Sequence, residues 1–249
     1  MVCIDIGNTA IKGWKCEIAD KSCEKPAPVA IFSCETNLPD KEICAILSQN
    51  LQSQEHLRYV SVVPTKNILL ESVCEKNHLF CEQYDPASDT RIAYDYAAPG
   101  HDRIAAAAGA ASAYDLSDFI VVDAGTAVKI DLVTNRVFRG GVILPGPGLS
   151  LRALAANTAQ LPEITPEMSA PPGTDTVSCM RSGVTYGICY AIDGFIASYR
   201  DNYGMLPCIV TGGFGELYYR FSANRAAPPL FDPALIARSL ITYHPVSRQ

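Results

Sequence analysis

The apolar positions of the chain follow two rhythms, and the order in which they alternate occurs twice. Residues 2–6 (VCIDI) are almost all apolar and run into Gly7-Asn8, the pattern of a buried strand ending in a tight turn. AIKGWKCEI and PVAIFSCE read as two further strands, which completes an N-terminal meander. Residues 41–51 carry Ile43, Ala45, Ile46 and Leu47 at helical spacing. Residues 58–64 (RYVSVVP) are a short buried strand ended by proline, and 65–77 a second helix with Ile68, Leu69, Leu70 and Val73 on one side. The order to this point is β-β-β-α-β-α.

The second half repeats it. FIVVDAGTA is a strand and turn, and VKIDLV and RVFRGGVIL are strands. Residues 149–157 and 176–199 read as helices, LPCIVTGG as a strand ending in a glycine turn, and 232–241 as a closing helix. The change-over falls near residues 85–115, around YDYAAPG, which predicts an N-terminal lobe over 1–100 and a C-terminal lobe over 101–249. Pro171-Pro172-Gly173 marks a loop within the second lobe. The halves also share residues. Asp5-Ile6-Gly7-Asn8-Thr9-Ala10-Ile11-Lys12 matches Asp123-Ala124-Gly125-Thr126-Ala127-Val128-Lys129 once one residue is removed. Two copies of one supersecondary unit predict facing lobes, a cleft between them and an Asp-x-Gly turn on each wall.

Composition narrows the function. Hydrophobic residues make up 48% and charged residues 18%, enough for a sizeable core. A net charge of −6 lacks the basic surface that phosphate neutralisation requires, so no nucleic-acid partner is expected. MVCIDIGN carries Asp5 and no basic segment, which does not match a secretory signal. The small-residue run 104–113 is about half the length of a membrane-spanning helix, so no membrane partner is expected. The ten cysteines include no C-x-x-C pair, and with only four histidines zinc spacing is absent. Reduced, mostly buried thiols and a cytoplasmic location follow.

Glycine after Asp lets the backbone turn and approach a ligand closely. A Thr hydroxyl and exposed amides can then cradle anionic oxygens. The Asp cannot hold phosphate itself, but it can hold a cation that bridges to phosphate. One such turn alone is usually a hairpin with a capping Asp; the duplicate favours a nucleotide cleft. Lys12 either reaches a phosphate or solvates a strand edge. No Walker A and no dinucleotide glycine pattern occurs. Gly100-His101-Asp102-Arg103 opens an alanine-rich helix, where Asp102 is either a general base for a hydroxyl attacking a γ-phosphoryl group or a helix cap. Arg103 is suited to bidentate pairing with a carboxylate or phosphate. Gly140–Gly148 and Thr211-Gly212-Gly213 are further turns that a substrate or base could approach.

Five motifs then stand in order: D-x-G-N-T-x-x-K at 5–12, G-x-D-R at 100–103, D-x-G-T-A at 123–127, G-G-x-I-x-P-G at 140–146 and T-G-G at 211–213. Together with S-V-V-P at 61–64, they resemble type III pantothenate kinase over nearly the whole chain. The resemblance implies an α/β fold of two ribonuclease-H-like lobes, shared with acetate and sugar kinases, heat-shock chaperone ATPases and actin. It implies ATP-dependent phosphorylation of the terminal hydroxyl of pantothenate, the first step of coenzyme A synthesis. Asp5, Ile6, Gly7, Asn8, Thr9, Ala10, Ile11 and Lys12 would lie along ATP, with Thr126 touching it from the second lobe. Asp102 matches the proton acceptor. Gly100, His101, Asp102, Arg103 and Tyr94 match the pantothenate pocket, with Tyr96 a second choice for the tyrosine. Thr176 matches a substrate contact made across a homodimer. Mg2+ would accompany ATP, and Asp123 matches the ligand of a monovalent cation, K+ or NH4+.

Two positions depart from the family pattern. Where the family often has a Thr after D-x-G-T-A-x, this chain has Lys129, and a lysine there could replace or weaken the need for a monovalent cation. Pro99 abuts Gly100, which shortens the spacing between the tyrosine and the G-x-D-R turn. Two other functions fit the same fold: a different small-alcohol or sugar kinase, or a weakly catalytic regulatory homologue.

Overall fold

Strands and helices alternate in a computed structural model of the chain, which describes residues 1–16, 27–51, 56–94, 99–223 and 225–245. The elements are β1 (Val2–Ile6), β2 (Ala10–Lys15), β3 (Val29–Glu35), α1 (Asp40–Asn50), β4 (His56–Ser61), α2 (Pro64–Lys76), β5 (Phe80–Gln83) and β6 (Ala93–Tyr94). There follow α3 (His101–Tyr114), β7 (Phe119–Ala124), β8 (Ala127–Thr134), β9 (Val137–Pro145), α4 (Pro147–Ala156) and α5 (Thr176–Tyr203). The last are β10 (Cys208–Thr211), α6 (Gly215–Ser222), β11 (Leu230–Phe231) and α7 (Leu235–Ile241).

The predicted duplication is present in the sheets. The first has the order β3-β2-β1-β4-β5, and the second runs β9-β8-β7-β10-β11 with β6 added beside β9. In each, an antiparallel hairpin (β1–β2, β7–β8) is followed by a strand parallel to its first member (β4, β10). This is the two-lobed ribonuclease-H-like α/β class.

Two compact units divide the chain. Unit 1 comprises 1–117, 136–138 and 234–249; unit 2 comprises 118–135 and 139–233. The division differs from the expected 1–100 and 101–249 because α3 and α7 are bound to the first sheet by packing. Residues 104–111 of α3 are all buried, and Gly109 lets α7 come so close that a Cβ there would collide with the Leu235 carbonyl. Small side chains on α3 are therefore what allow α7 to pack against it.

In unit 1, Val2, Ile4 and Ile6 of β1 and Leu57 and Tyr59 of β4 pack against Ile43 and Leu47 of α1 and Leu70 and Val73 of α2. Alternation then turns Cys3, Asp5 and Arg58 to the opposite face. There the Arg58 guanidinium donates to the carbonyls of Leu240 at 2.9 Å and Tyr243 at 2.5 Å, which marks this as the face that α7 covers. In unit 2, Ile120, Val122 and Ala124 of β7 pack with Ile188, Ile192 and Ile196 of α5. Asp123 lies on the other face for the same reason.

Several boundaries move from expectation. Pro147 occupies the first turn of α4, so that helix starts before residue 149. Helix α5 continues to Tyr203 and stops at Gly204, whose φ of 89° an L side chain rarely adopts. Leu230–Phe231 pair with β10, which delays α7 to residue 235. Nine described cysteines are free; Cys3, Cys16, Cys74, Cys189 and Cys208 are buried, and Cys23 lies outside the described residues. No described helix is long and apolar enough to cross a membrane.

Candidate functional site

Asp5 is half-buried near the end of β1, and the strand register sets it opposite Lys12 of β2. The turn between them closes through the Gly7 amide, which donates to the Ala10 carbonyl at 3.0 Å, and leaves Asn8 and Thr9 exposed at the tip. Thr36 fixes the turn from the side. Its hydroxyl donates to the Gly7 carbonyl at 2.7 Å, and its amide donates to the Thr9 carbonyl at 2.9 Å. Ile6 and Ile11 are 1% and 2% exposed, so these two of the predicted ATP residues face the core and can offer a ligand only backbone.

Asp102 and Arg103 stand in the first turn of α3, with Gly100 as the residue before it and His101 exposed. Asp102 Oδ1 accepts from the Arg103 amide at 2.9 Å. A carboxylate there also complements the positive end of the helix dipole. The Arg103 guanidinium lies over the Phe138 ring, 5.2 Å from its centroid. Phe138 is in turn the strand partner of Tyr94, through the β6–β9 pairing. Tyr94, Arg103 and Phe138 are thus gathered in unit 1. Phe138 was not a sequence candidate: it is one apolar residue in a strand, and nothing in its spacing links it to Arg103. Tyr96 lies outside the described residues.

The segment leading into β6 is held rigidly. Asp89 pairs with Arg91 at 2.6 Å and accepts from the Tyr84 hydroxyl at 2.7 Å. Burial by itself would push the Asp89 carboxyl up, but the Arg91 guanidinium and the Tyr84 hydroxyl outweigh it and hold it below the usual carboxylate range. Arg91 also donates to the Ser239 carbonyl at 2.9 Å, which fixes this segment to α7.

In unit 2, Asp123 faces Lys129 across β7–β8, and the lysine Nζ lies 2.7 Å from Oδ2. Thr126 is exposed at the tip of this hairpin, which is closed by the Gly125 amide on the Ala127 carbonyl at 3.1 Å. Three backbone segments meet here. The Gly146 amide donates to the Thr126 carbonyl at 2.9 Å, and the Phe214 amide to the Ala124 carbonyl at 2.7 Å. Gly212, with φ of 90°, comes so close that a Cβ there would stand 2.7 Å from Asp123 Oδ1. The G-G-x-I-x-P-G and T-G-G motifs therefore serve to pack against the second Asp-x-Gly turn. Thr176 is the first residue of α5, capped by Asp175, whose carboxylate accepts from the Ser178 amide at 3.0 Å.

The family model for type III pantothenate kinase matches residues 1–198. A type III pantothenate kinase of Hyphomonas neptunium is 44% identical over 147 residues, 57% of this chain and 55% of that protein, so this match spans little more than half of either. One of Kosmotoga olearia is 30% identical over 238 residues, 86% of this chain and 85% of that one. Among solved structures, a Campylobacter jejuni chain described as a Baf-family transcriptional activator aligns with a TM-score of 0.61 at 23% identity, covering 96% of this chain and 94% of that one. The ethanolamine utilization protein EutJ of Carboxydothermus hydrogenoformans aligns at 0.52 and 13% identity, covering 98% and 89%. At those identities the two structures speak for the fold. The family model covers most of the chain, and with the ordered motifs on its two hairpins and on α3 it establishes that the chain belongs to the type III pantothenate kinase family.

Proposed function

We propose that this protein transfers the γ-phosphoryl group of ATP to the terminal hydroxyl of pantothenate, as its family's name describes, with Asp102 as proton acceptor. The observation that carries the reading is the placement of Asp102. It stands in the first turn of a helix whose body is buried in unit 1, the unit that also holds the Asp5 hairpin. The buried body of the helix fixes the backbone that carries this carboxylate. As the hydroxyl oxygen bonds to phosphorus, its proton passes to a carboxylate oxygen of Asp102, and the bond from phosphorus to the bridging oxygen of ADP breaks.

The other roles follow from chemistry and position. Gly7, Asn8, Thr9 and Ala10 offer backbone and hydroxyl groups to the phosphates, with Ile6 and Ile11 as their buried supports. Lys12 offers charge, and Thr126 a hydroxyl exposed at the tip of its hairpin. Gly100, His101, Arg103 and Tyr94 form the pantothenate pocket. The Phe138 ring takes one face of the Arg103 guanidinium, and its N–H groups lie in the plane suited to a carboxylate. Magnesium takes most of its ligands from phosphate and water. That fits a wall offering Asp5: among the described residues no group of three or more His, Cys, Asp or Glu could hold a metal.

A monovalent cation at Asp123 fits poorly. Oδ2 is already on the Lys129 ammonium, which neutralises the carboxylate and repels a second cation brought to it. A homodimer in which Thr176 reaches the partner's substrate, and a cytoplasmic setting in keeping with free thiols, complete the proposal.

The test is turnover of pantothenate with ATP, followed by ADP release. Asp102→Asn should lower kcat by about 100-fold or more, the usual contribution of a positioned base, with the fold intact by circular dichroism. Unchanged turnover in that variant would remove Asp102 from its role.

A further inference from the structure

The second hairpin departs from the residue often found in the family pattern: Lys129 stands beside Asp123. We infer that Lys129 supplies, from within the chain, the positive charge at Asp123 that a monovalent cation would otherwise bring, so that phosphoryl transfer by this protein is independent of potassium and ammonium. The inference rests on the pantothenate kinase reading and deepens it.

Four observations support it. Asp123 and Lys129 are direct register partners, so the strand pairing itself brings the two side chains together. Their separation is 2.7 Å, with side-chain exposures of 19% and 18%, unlike an ion pair on an open surface. The other carboxylate oxygen lies beside the Gly212 backbone, where a Cβ would stand 2.7 Å from it, so the carboxylate is held between the ammonium and the glycine turn. The hairpin that holds the pair is tied down by the amides of Gly125, Gly146 and Phe214. A lysine side chain ends in an ammonium with three donors. At Asp123 it is therefore a tethered equivalent of the ammonium ion, held in place without recruitment from solution.

The experiment compares wild type with Lys129→Thr, which restores the residue type of the family pattern, in potassium chloride and in choline chloride at equal ionic strength. Two readouts are taken: turnover of pantothenate, and affinity for a non-hydrolysable ATP analogue by calorimetry. Wild type should give the same values in both salts within about twofold. Lys129→Thr should fall by about tenfold or more in choline and recover in potassium, in kcat/KM and in analogue affinity alike. Wild type stimulated about tenfold by potassium overturns the inference, and this arm needs no variant to fold. Lys129→Thr that keeps full activity in choline also overturns it. So does a folded Lys129→Thr inactive in both salts, because the amine would then have a role that a free cation cannot fill. If no pantothenate is phosphorylated in any salt, the proposed function fails, and the calorimetric arm still decides the role of Lys129.

Discussion

In the first hairpin Asp5 faces Lys12 and the tip is made by Asn8 and Thr9; in the second Asp123 faces Lys129 and the tip is Thr126. The register is the same and the loop differs by one residue. What surrounds the two turns differs more. Thr36 holds the first through one hydroxyl and one amide. The second is enclosed by Gly146, Gly212 and Phe214, each reaching a backbone oxygen of the turn or lying against one. A duplicated motif has thus been kept at one copy as an accessible edge and turned at the other into a packed junction. Identical spacing of Asp and Gly does not by itself define a ligand site; the neighbours decide how much of the turn a ligand can reach.

The contrast can be broken by adding a single methyl group. Gly146→Ala would push a Cβ into the carbonyls of Gly125 and Thr126, both backbone atoms that cannot swing aside. It should cost about 3 kcal/mol, read as a shift in the urea unfolding midpoint. Gly7→Ala places its Cβ 3.3 Å from the Ala10 carbonyl and meets no other close atom, so it should cost less than about 1 kcal/mol. Equal losses in the two variants would show that the hairpins are equally enclosed.

Ligand binding sharpens the same contrast. Lys12→Ala should weaken ATP binding by about tenfold, the loss of one charge-assisted contact, and shift the unfolding midpoint little. An unchanged ATP affinity would leave Lys12 as a strand-edge lysine. Thr36→Val, which removes the hydroxyl bond to Gly7, should lower stability by about 1 kcal/mol in thermal unfolding. A loss several times larger would mean that Thr36 supports more than the turn.

The sequence carried the duplicated hairpins, because apolar runs ending in Asp-x-Gly are local signals. The buried small-residue helix α3 was equally plain. Lys129 was visible as a departure, and its contact with Asp123 follows from hairpin geometry once Gly125 and Ala127 are paired. The short strands were not legible. β6 and β11 have two residues each, too few to show a period of two, and they exist only because β9 and β10 offer them an edge. The bounds of the two compact units are not legible for a related reason. Periodicity shows that residues 235–241 form an apolar helix but not which sheet covers it. That choice is made by Gly109 and Arg58, which lie more than a hundred residues earlier in the chain. Phe138 was missed because an aromatic beneath a guanidinium has no spacing rule.

The Arg58 contacts also bear on how the molecule comes into being. Nascent chains usually complete their domains in the order of synthesis. Here the guanidinium on β4 has no carbonyls to grip until residues 240 and 243 have been added, by which time all of unit 2 has been synthesised. The lobe that starts first therefore makes these closing contacts only after the sequence of its duplicate is complete.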